Sequence, residues 1–373
     1  MIERLGKELM KHSIDVCLVY QSIDPAMLSR FEDANIRVVK ASGWSRKEII
    51  PLFDPSDISY AVTFIWNDFL ICNINKDYLR TVFYAVHYYA FRIGNNRGIF
   101  LKRILKRIVG KGIECLISNR QLLCMDEQTI EKTQDYYGLN RLEIPIIRVA
   151  VDEAPLISRA KDGSVVHILA ISRADFPFKG YIIGLIDWVI GSGKDVAVTI
   201  ISYGEGEKEI KEKIASLDAD IRQRINLVGK TDYDQLQQYY ENADLYVGMG
   251  TTLLDASLRG IVSVPVKAYT YELTCDSFFY ENCFKLSVDE GTSSGFDELF
   301  DRYAGLGLED RELVSQKGRE VVLHNYSTPV IVTELLNRLS TIRSNSSTIG
   351  LEMIRTYHTI KSVINGDYKN AGD

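Results

Sequence analysis

The sequence contains few of the residues that form metal centres, disulfide frameworks or nucleic-acid-binding surfaces. Its 373 residues include only 5 histidines, and none of the 6 cysteines belongs to a Cys-x-x-Cys pair or stands at zinc-ligand spacing from a histidine. These absences argue against a resident metal and predict reduced thiols in a cytoplasm. Acidic residues outnumber basic ones, 50 against 44, which argues against a general nucleic-acid-binding protein because such proteins carry a basic surface.

Long apolar segments are absent as well. No window approaches the roughly 20 apolar residues of a membrane-spanning helix, and the first residues, Met-Ile-Glu-Arg-Leu-Gly-Lys, lack the apolar core of a signal peptide. With 46% apolar and 25% charged residues, the composition is that of a soluble globular protein. A chain of this length is long for one core, so we predict two domains of ordinary size.

Short apolar segments alternate with amphipathic segments in the second half of the chain. The strand candidates there are 165–171, 196–202, 225–228, 245–247 and 262–266. Helical patterns separate them, and such alternation indicates βαβ units around a parallel sheet. The first half repeats the alternation less cleanly, with strand candidates at 14–20, 36–40, 58–64, 81–86, 114–117 and 146–149. We predict an α/β fold of two Rossmann-like doubly wound domains that face a cleft, with ligands beyond the carboxyl ends of the strands.

The junction after the strand 245–247 carries a binding signal. A helix that begins at Thr251 or Thr252 leaves unpaired N–H groups and a partial positive charge at its start, which suits a phosphate. Gly248 and Gly250 remove side chains where a phosphate would approach the backbone, and the threonine hydroxyls either cap the helix or donate to the anion. Asp255 follows about one turn later and suits a ribose diol. The alternative is a glycine-rich turn with a capped helix and a surface aspartate.

Two cations follow another strand of the same predicted sheet. Arg173 and Lys179 come after the strand 165–171 and precede a helical segment. A close charge pair with a diphosphate contributes about 4 kcal/mol at an effective dielectric of about 20, before desolvation is subtracted. Taken alone these side chains are ordinary surface charges, but their position beside the glycine-threonine junction favours a diphosphate site.

The order of these landmarks resembles a known family. From residue 165 to 335 the chain carries Ser172-Arg173 with Lys179-Gly180, Ser202-Tyr-Gly-Glu-Gly-Glu207, Asn226-Leu-Val-Gly-Lys230, Tyr240-Glu-Asn-Ala-Asp-Leu-Tyr246, and Gly248-Met-Gly250 with Asp255. This arrangement is similar to the nucleotide-binding half of GT-B glycosyltransferases, most like the large retaining group called family 4. The resemblance implies that Arg173 and Lys179 bind the donor diphosphate, that backbone near Gly229 and Lys230 holds the base, and that Asp255 holds the ribose.

The resemblance also implies a function. The expected reaction transfers a hexose-type sugar from a UDP or GDP donor to a saccharide or lipid-linked acceptor, in building a surface polysaccharide, with retention and with no cofactor. No metal is needed in this fold, because cations and helix N–H groups neutralise the departing phosphate. In the first half, Tyr84-Ala-Val-His87 is similar to the family's histidine-bearing strand end. His87 is therefore a candidate to touch the transferred sugar, with a structural histidine as the alternative.

Two departures from the family pattern leave a second function open. The family carries a Glu-x7-Glu motif, and here the second position is Asp255 while the first is Val247. The chain also begins at the helix that normally follows the first strand, so we expect either a missing amino-terminal edge or a different acceptor site. These departures motivate a catalytically silent GT-B homologue that binds nucleotide or saccharide and supports a partner enzyme. A nucleotide-sugar epimerase of the same fold has no positive feature.

The predicted domains are 1–152 on the acceptor side, 153–338 for the nucleotide sugar, and a helical tail at 339–373 that packs back on the first domain. Residues 115–118 and 147–152 resemble the strands that precede the family's hinge. Leu101–Val109 forms a basic amphipathic pattern, with Lys102, Arg103, Lys106 and Arg107 opposite an apolar face. This pattern predicts either an ordinary surface helix or contact with an anionic membrane at the inner face of the cell membrane.

Overall fold

The computed structural model describes residues 1–42, 45–74, 77–91, 99–139, 143–157, 165–288 and 294–342. Backbone contacts divide the chain into two units. The first comprises the described residues of Met1–Ala150 and Thr328–Asp373, and the second comprises those of Val151–Ser327.

The first unit contains two parallel sheets, β1-β2 and β3-β4-β5. Its strands are β1 Cys17–Tyr20, β2 Arg37–Lys40, β3 Ser59–Thr63, β4 Leu79–Ala85 and β5 Leu122–Cys124. Its helices up to residue 150 are α1 Ile2–Lys11, α2 Pro25–Asp33, α3 Arg46–Ile49, α4 Trp66–Cys72, α5 Ile99–Ser118 and α6 Glu127–Tyr137, with 3-10 turns at Ile50–Leu52 and Tyr88–Phe91. Sequence signals set several ends: Asp126 caps α6 through the Thr129 N–H at 2.7 Å, and Gly138 ends it at φ 65°.

The expected strand at 114–117 is wrong, and so is the family-like strand at 115–118. These residues form the last turn of α5, because Ile113 and Leu116 are both fully buried at helical spacing and continue the apolar face of that helix. Arg120, at φ 59°, ends the helix in the left-handed conformation. The strand of this region is β5, Leu122–Cys124, which the sequence reading missed. Of the expected strand 146–149, only Ile146 makes a bridge, to Cys124.

The second unit is built on a five-stranded parallel sheet of order β10-β9-β6-β7-β8. Its strands are β6 Val166–Arg173, β7 Val196–Tyr203, β8 Ile225–Val228, β9 Leu245–Gly248 and β10 Val262–Pro265, with a small antiparallel pair of β11 Thr274–Cys275 and β12 Ser294–Gly295. Its helices are α7 Tyr181–Gly191, α8 Glu207–Ala215, α9 Ala219–Arg222, α10 Gln237–Asn242, α11 Thr251–Leu258, α12 Phe296–Ala304 and α13 Leu308–Tyr326, with 3-10 turns at Tyr233–Leu236 and Phe279–Glu281. This is the doubly wound domain that the alternation predicts, and the strand order reverses between β6 and β9.

Helix α7 shows how tightly this unit packs. Most of its residues are buried, which matches an apolar sequence without a polar face. A Cβ atom on Gly184 would lie 2.5 Å from the backbone nitrogen of Leu273, and one on Gly180 would lie 2.5 Å from the carbonyl oxygen of Thr270. The two glycines therefore let the helix lie against the backbone of the segment 270–273.

The last described helix, α14 Thr328–Ser340, belongs to the first unit. Its buried residues Ile331, Leu335 and Leu339 share a core cluster with Leu5 of α1 and Val82 of β4. The structure thus places residues 328–338 with the first unit, whereas the sequence reading placed them in the nucleotide-sugar domain, because the apolar face of α14 completes that core.

Several expectations fall on residues outside the described ranges. These are the segment 158–164 between the two predicted domains, the tail beyond residue 342, and the side chains of Leu101, Lys102 and Leu105 in α5. Within the described part of the chain, no helix has both the length and the apolar character that a membrane crossing requires.

Candidate functional site

The candidate site lies at the carboxyl ends of β6 and β9, where the strand order reverses. β6 ends at Arg173, and β9 ends at Gly248, two residues before the first helical turn of α11. Gly250 precedes that helix at φ 73°, a conformation that L side chains rarely adopt, and a Cβ atom there would meet nothing within 4 Å. The Gly250 N–H donates to the carbonyl of Leu286 at 3.0 Å. The hydrogen bond to Leu286 therefore fixes the backbone at Gly250, and the space where a Gly250 side chain would lie is empty.

The first N–H groups of α11 have the arrangement that the sequence predicts for an anion site. Leu253 N–H donates back to the carbonyl of Gly250 at 3.2 Å. Among the described residues, the structure records no backbone carbonyl that accepts from the N–H of Thr251 or of Thr252. A helix start with two such donors favours a negative group.

Gly248 and Thr252 have a different environment from the one that their place in the motif suggests. Gly248 is buried, and a Cβ atom on it would lie 2.6 Å from the hydroxyl oxygen of Tyr246. That hydroxyl lies 2.6 Å from Oγ1 of Thr252, and both hydroxyls lie 3.2 Å from the carbonyl oxygen of Ile171. The side chain of Thr252 is thus engaged inside the protein and makes no cap at the start of α11.

Arg173 ends β6 and Lys179 follows six residues later, and the charge of Arg173 acts on Lys179. Arg173 forms an ion pair of 3.0 Å with Asp175, and its side chain is 66% exposed. Lys179 is half-buried, with its ammonium 4.6 Å from the centre of the Phe178 ring. Burial lowers the pKa of Lys179 and the nearby Asp175 carboxylate raises it, while the Arg173 charge lowers it; the net result is a pKa of about 8. A buried ammonium beside another cation gains more from an arriving anion than a solvated one does.

Asp255 is almost fully buried, at 4% exposure, in the middle of α11. Tyr233, which is 45% exposed, donates its hydroxyl to Oδ1 of Asp255 at 3.3 Å. Arg259 donates to the backbone carbonyl of Asp255 at 3.0 Å and stacks on the ring of Tyr240 at 4.6 Å. Asp255 is therefore not the surface aspartate of the alternative interpretation, and Tyr233 is its solvent-facing neighbour.

The remaining predicted residues lie on exposed loops. Gly229 and Lys230 directly follow β8, and the Gly229 carbonyl accepts from the Thr231 hydroxyl at 3.1 Å. His87 is exposed in the turn after β4, at the carboxyl end of its strand in the first unit. The roles expected for these residues stay predictions.

A separate cavity of about 560 Å³ adjoins the Arg173–Asp175 pair but does not suit a diphosphate. Three carboxylates line it and no lysine or arginine does, so an anion would be repelled. Its lining comprises Asp175, Phe176, Pro177, Phe178, Glu205, Gly206, Glu209 and Tyr269. We therefore place the candidate anion site at the start of α11 and not in this cavity.

No group of three or more metal-ligating side chains occurs among the described residues. The triplet Asp218-Ala-Asp220 matches the pattern of a metal-binding D-x-D formally, but Asp218 and Asp220 lie at the start of the short helix α9.

The sequence reading missed Tyr246, Tyr233 and Asp175. All three contact residues that were predicted from the sequence: Tyr246 contacts Thr252, Tyr233 contacts Asp255, and Asp175 pairs with Arg173. The spacing of Tyr246 and Gly248, two residues apart on one face of a strand, is the one available signal, since a large side chain beside a glycine suggests that it needs the room.

Comparison with solved structures identifies the fold. A glycosyltransferase from Rickettsia africae matches with a TM-score of 0.64 at 14% identity, covering 92% of this chain and 94% of that one. Anabaena HepE in complex with UDP matches with a TM-score of 0.61 at 15% identity, over 91% and 96% of the two chains. Sucrose-phosphate synthase from Thermosynechococcus elongatus matches with a TM-score of 0.58 at 12% identity, over 90% of each chain. The chain thus has the GT-B fold.

Neither family models nor curated proteins match the sequence. At identities of 12–15%, the structural likeness establishes the fold alone.

Proposed function

We propose that this protein, which has the GT-B fold, is a glycosyltransferase that uses a nucleotide-diphosphate sugar as donor and a saccharide or a lipid-linked saccharide as acceptor. The observation that carries the proposal is that two cations, Arg173 and the half-buried Lys179, follow β6 closely enough for the Arg173 charge to act on Lys179, in the sheet whose neighbouring strand leads into α11. The Anabaena neighbour HepE is known in complex with UDP-glucose as well as UDP, which supports a donor of this class.

The proposed roles follow from charge. Negative charge develops on the departing diphosphate, and the Arg173 and Lys179 cations together with the Thr251 and Thr252 N–H groups neutralise it. The Asp255 carboxylate accepts hydrogen bonds from the ribose diol, and backbone near Gly229 and Lys230 holds the base. His87 acts at the transferred sugar. A transfer of this kind takes no cofactor and no metal.

A titration tests the proposal directly. UDP, GDP and their glucose conjugates are titrated calorimetrically into the wild type, Arg173→Ala and Lys179→Ala. Each variant loses one charged hydrogen-bond partner, so we expect about 10- to 100-fold weaker binding. Lys194→Ala is the matched control, since Lys194 precedes β7, at the amino ends of the strands of the same sheet, and pairs with Asp301. Equal affinity in all four proteins, or no binding to any of these ligands, removes the proposal.

The finer parts of the function need their own measurements. We propose retention of the anomeric configuration and independence of metal, which NMR of the product and assays with a chelator check. We also propose a role in surface polysaccharide synthesis, which rests on the family resemblance.

Helix α5 supports a membrane-bound acceptor. Arg103 and Arg107 are exposed, and Ile104 between them is 42% exposed, so this face combines positive charge with an apolar side chain. Charge reversal at Lys102, Arg103, Lys106 and Arg107 is expected to abolish co-sedimentation with anionic vesicles. Reversal of Lys208 and Lys211 on α8 is the control and leaves it unchanged. Wild-type protein that stays in the supernatant excludes the membrane contact.

The catalytically silent homologue remains a second candidate because of Val247. In the family this position holds a glutamate that contacts the donor sugar, but Val247 is fully buried in the apolar core of the second unit. It cannot hydrogen-bond to a sugar. Donor binding without hydrolysis or transfer, over a panel of saccharide acceptors, favours this candidate over the enzyme.

A further inference from the structure

Tyr246 connects the two elements that carry the candidate anion site. Its side chain is fully buried in β9, yet its hydroxyl lies 2.6 Å from Oγ1 of Thr252 and 3.2 Å from the carbonyl oxygen of Ile171. Thr252 Oγ1 lies 3.2 Å from the same carbonyl. In the arrangement with the shortest contact, Tyr246 donates to Thr252, and Thr252 donates to the carbonyl of Ile171 or to that of Met249, which lies 3.3 Å from Thr252 Oγ1.

Both ends of this connection lie next to the proposed phosphate ligands. Ile171 is two residues before Arg173 in β6, and Thr252 is the second residue of α11 and carries one of the two available N–H groups. Arg173 is exposed, and few tertiary contacts fix its side chain. The distance between the end of β6 and the start of α11 therefore decides whether Arg173 and the helix N–H groups can bind the same anion. A hydrogen-bonded link that is buried at Tyr246 and partly buried at Thr252 holds that separation more firmly than apolar packing does, because a shifted Tyr246 hydroxyl would lose its partner where water does not reach it.

The neighbouring glycine is consistent with this role. A Cβ atom on Gly248 would lie 2.6 Å from the Tyr246 hydroxyl and 2.8 Å from its ring, so only glycine leaves the hydroxyl in place. Burial also raises the pKa of Tyr246 well above its ordinary value, which keeps the hydroxyl protonated and able to donate. The first glycine of the motif therefore serves the tyrosine and not a phosphate.

We propose that Tyr246 is a positioning residue for diphosphate binding: through Thr252 and Ile171 it sets the separation between the Arg173 strand end and the first N–H groups of α11. This inference rests on the proposed function. Tyr246 touches no ligand, and Thr252 contributes its backbone N–H to the anion while its hydroxyl points inward.

A double-mutant cycle with inorganic pyrophosphate as the probe tests the inference. Tyr246→Phe removes the first hydroxyl, Thr252→Val removes the second and keeps the N–H, and the double variant removes both. We expect each single variant to bind pyrophosphate about three- to tenfold more weakly. The double variant is expected to bind no more weakly than the worse single one, because the two hydroxyls share one link. Affinity for uridine or guanosine, which lack phosphate, should stay within twofold in all variants.

Urea unfolding and circular dichroism establish that each variant is folded before it is titrated. Tyr326→Phe is the control for loss of a buried tyrosine hydroxyl, since Tyr326 donates to the carbonyl of Cys283 at 2.7 Å in the same unit. It is expected to lower stability without changing pyrophosphate affinity.

The outcomes separate this inference from the proposed function. If the wild type binds neither pyrophosphate nor any nucleotide, the proposed function fails and the inference fails with it. If the wild type binds pyrophosphate and Tyr246→Phe binds it equally well, the inference alone is overturned. A large loss in Thr252→Val with none in Tyr246→Phe means that the Thr252 hydroxyl contacts the anion directly, which also overturns it. Equal losses for pyrophosphate and nucleoside indicate a merely structural tyrosine.

Discussion

The pKa of Lys179 predicts how diphosphate binding depends on pH. Burial and the nearby Arg173 lower that pKa from 10.5 to about 8, so the lysine of the unliganded protein begins to lose its charge near pH 8. A diphosphate about 4 Å away favours the charged form by about 4 kcal/mol at an effective dielectric of about 20. The bound form therefore keeps its proton to well above pH 8, and binding above pH 8 takes up a proton.

The magnitude follows from this linkage. Between pH 7.5 and 9.5 the protonated fraction of a group with a pKa of about 8 falls by about 25-fold, and the affinity for a nucleoside diphosphate should fall by the same factor. Phosphate termini ionise near pH 6, so the ligand itself does not titrate in this window.

The assay is calorimetric titration of the best-binding nucleoside diphosphate at four pH values between 7.5 and 9.5. In Lys179→Arg the charge persists throughout, because arginine does not deprotonate in this range, and the affinity should vary by less than threefold. Lys194→Arg is the matched control and should keep the wild-type dependence. A flat wild-type profile, or an equally steep profile in Lys179→Arg, refutes the argument that Lys179 carries the binding charge.

The lowered pKa of Lys179 also predicts how the stability of the unliganded protein depends on pH. Between about pH 8 and 10.5, Lys179 is protonated to a greater extent in the unfolded chain than in the folded protein. The free energy of unfolding of the unliganded protein therefore rises with pH through that window, by about 3 kcal/mol in total. Lys179→Met removes this contribution, and the difference in unfolding free energy between wild type and variant, measured in urea against pH, gives its size.

Two further predictions concern packing. Tyr240→Phe should leave the free energy of unfolding unchanged or raise it by up to about 1 kcal/mol. The Tyr240 hydroxyl is fully buried, and no hydrogen-bond partner is recorded for it within the described ranges. A loss above about 1 kcal/mol in urea unfolding contradicts this prediction. Gly184→Ala should destabilise the protein by about 1–3 kcal/mol, since its Cβ atom would lie 2.5 Å from the backbone of Leu273. Gly191→Ala at the end of the same helix is the control: its Cβ atom would meet nothing within 4 Å, so the variant should be neutral or stabilising. Equal thermal shifts in the two alanine variants would show that α7 is free to move.

The fold of the second unit could be predicted closely because its signals are local. Strands such as Ile225–Val228 and helices such as Glu207–Ala215 have the bounds that the apolar period gives. In the first unit the strand predicted at 114–117 was wrong, because the three consecutive apolar residues Cys115, Leu116 and Ile117 fit a strand or a buried helical turn equally well. The preceding α5 decided between them, since it continues its buried face through Leu116.

The site could be predicted less completely. Sequence order placed Arg173 and Lys179 at one strand end, and the structure brings their charges together. It could not indicate that Asp175 pairs with Arg173 or that Tyr233 contacts Asp255 across 22 residues, because such contacts depend on how loops fold. Gly248 was interpreted as a place where a phosphate approaches the backbone, but the group that occupies the space beside it is the side chain of Tyr246 in the same strand.

The path of the chain through the first unit has a consequence for synthesis. Leu5 of α1 shares its core with Leu339 of α14, so this core closes only after more than 300 residues have been made. The intervening unit, Val151–Ser327, is continuous in sequence and is complete before α14 leaves the ribosome. The sheet of the second unit is therefore expected to form first. Until α14 is made, the apolar residues of α1 and β4 remain exposed, so the nascent first unit is expected to be the part most dependent on chaperones.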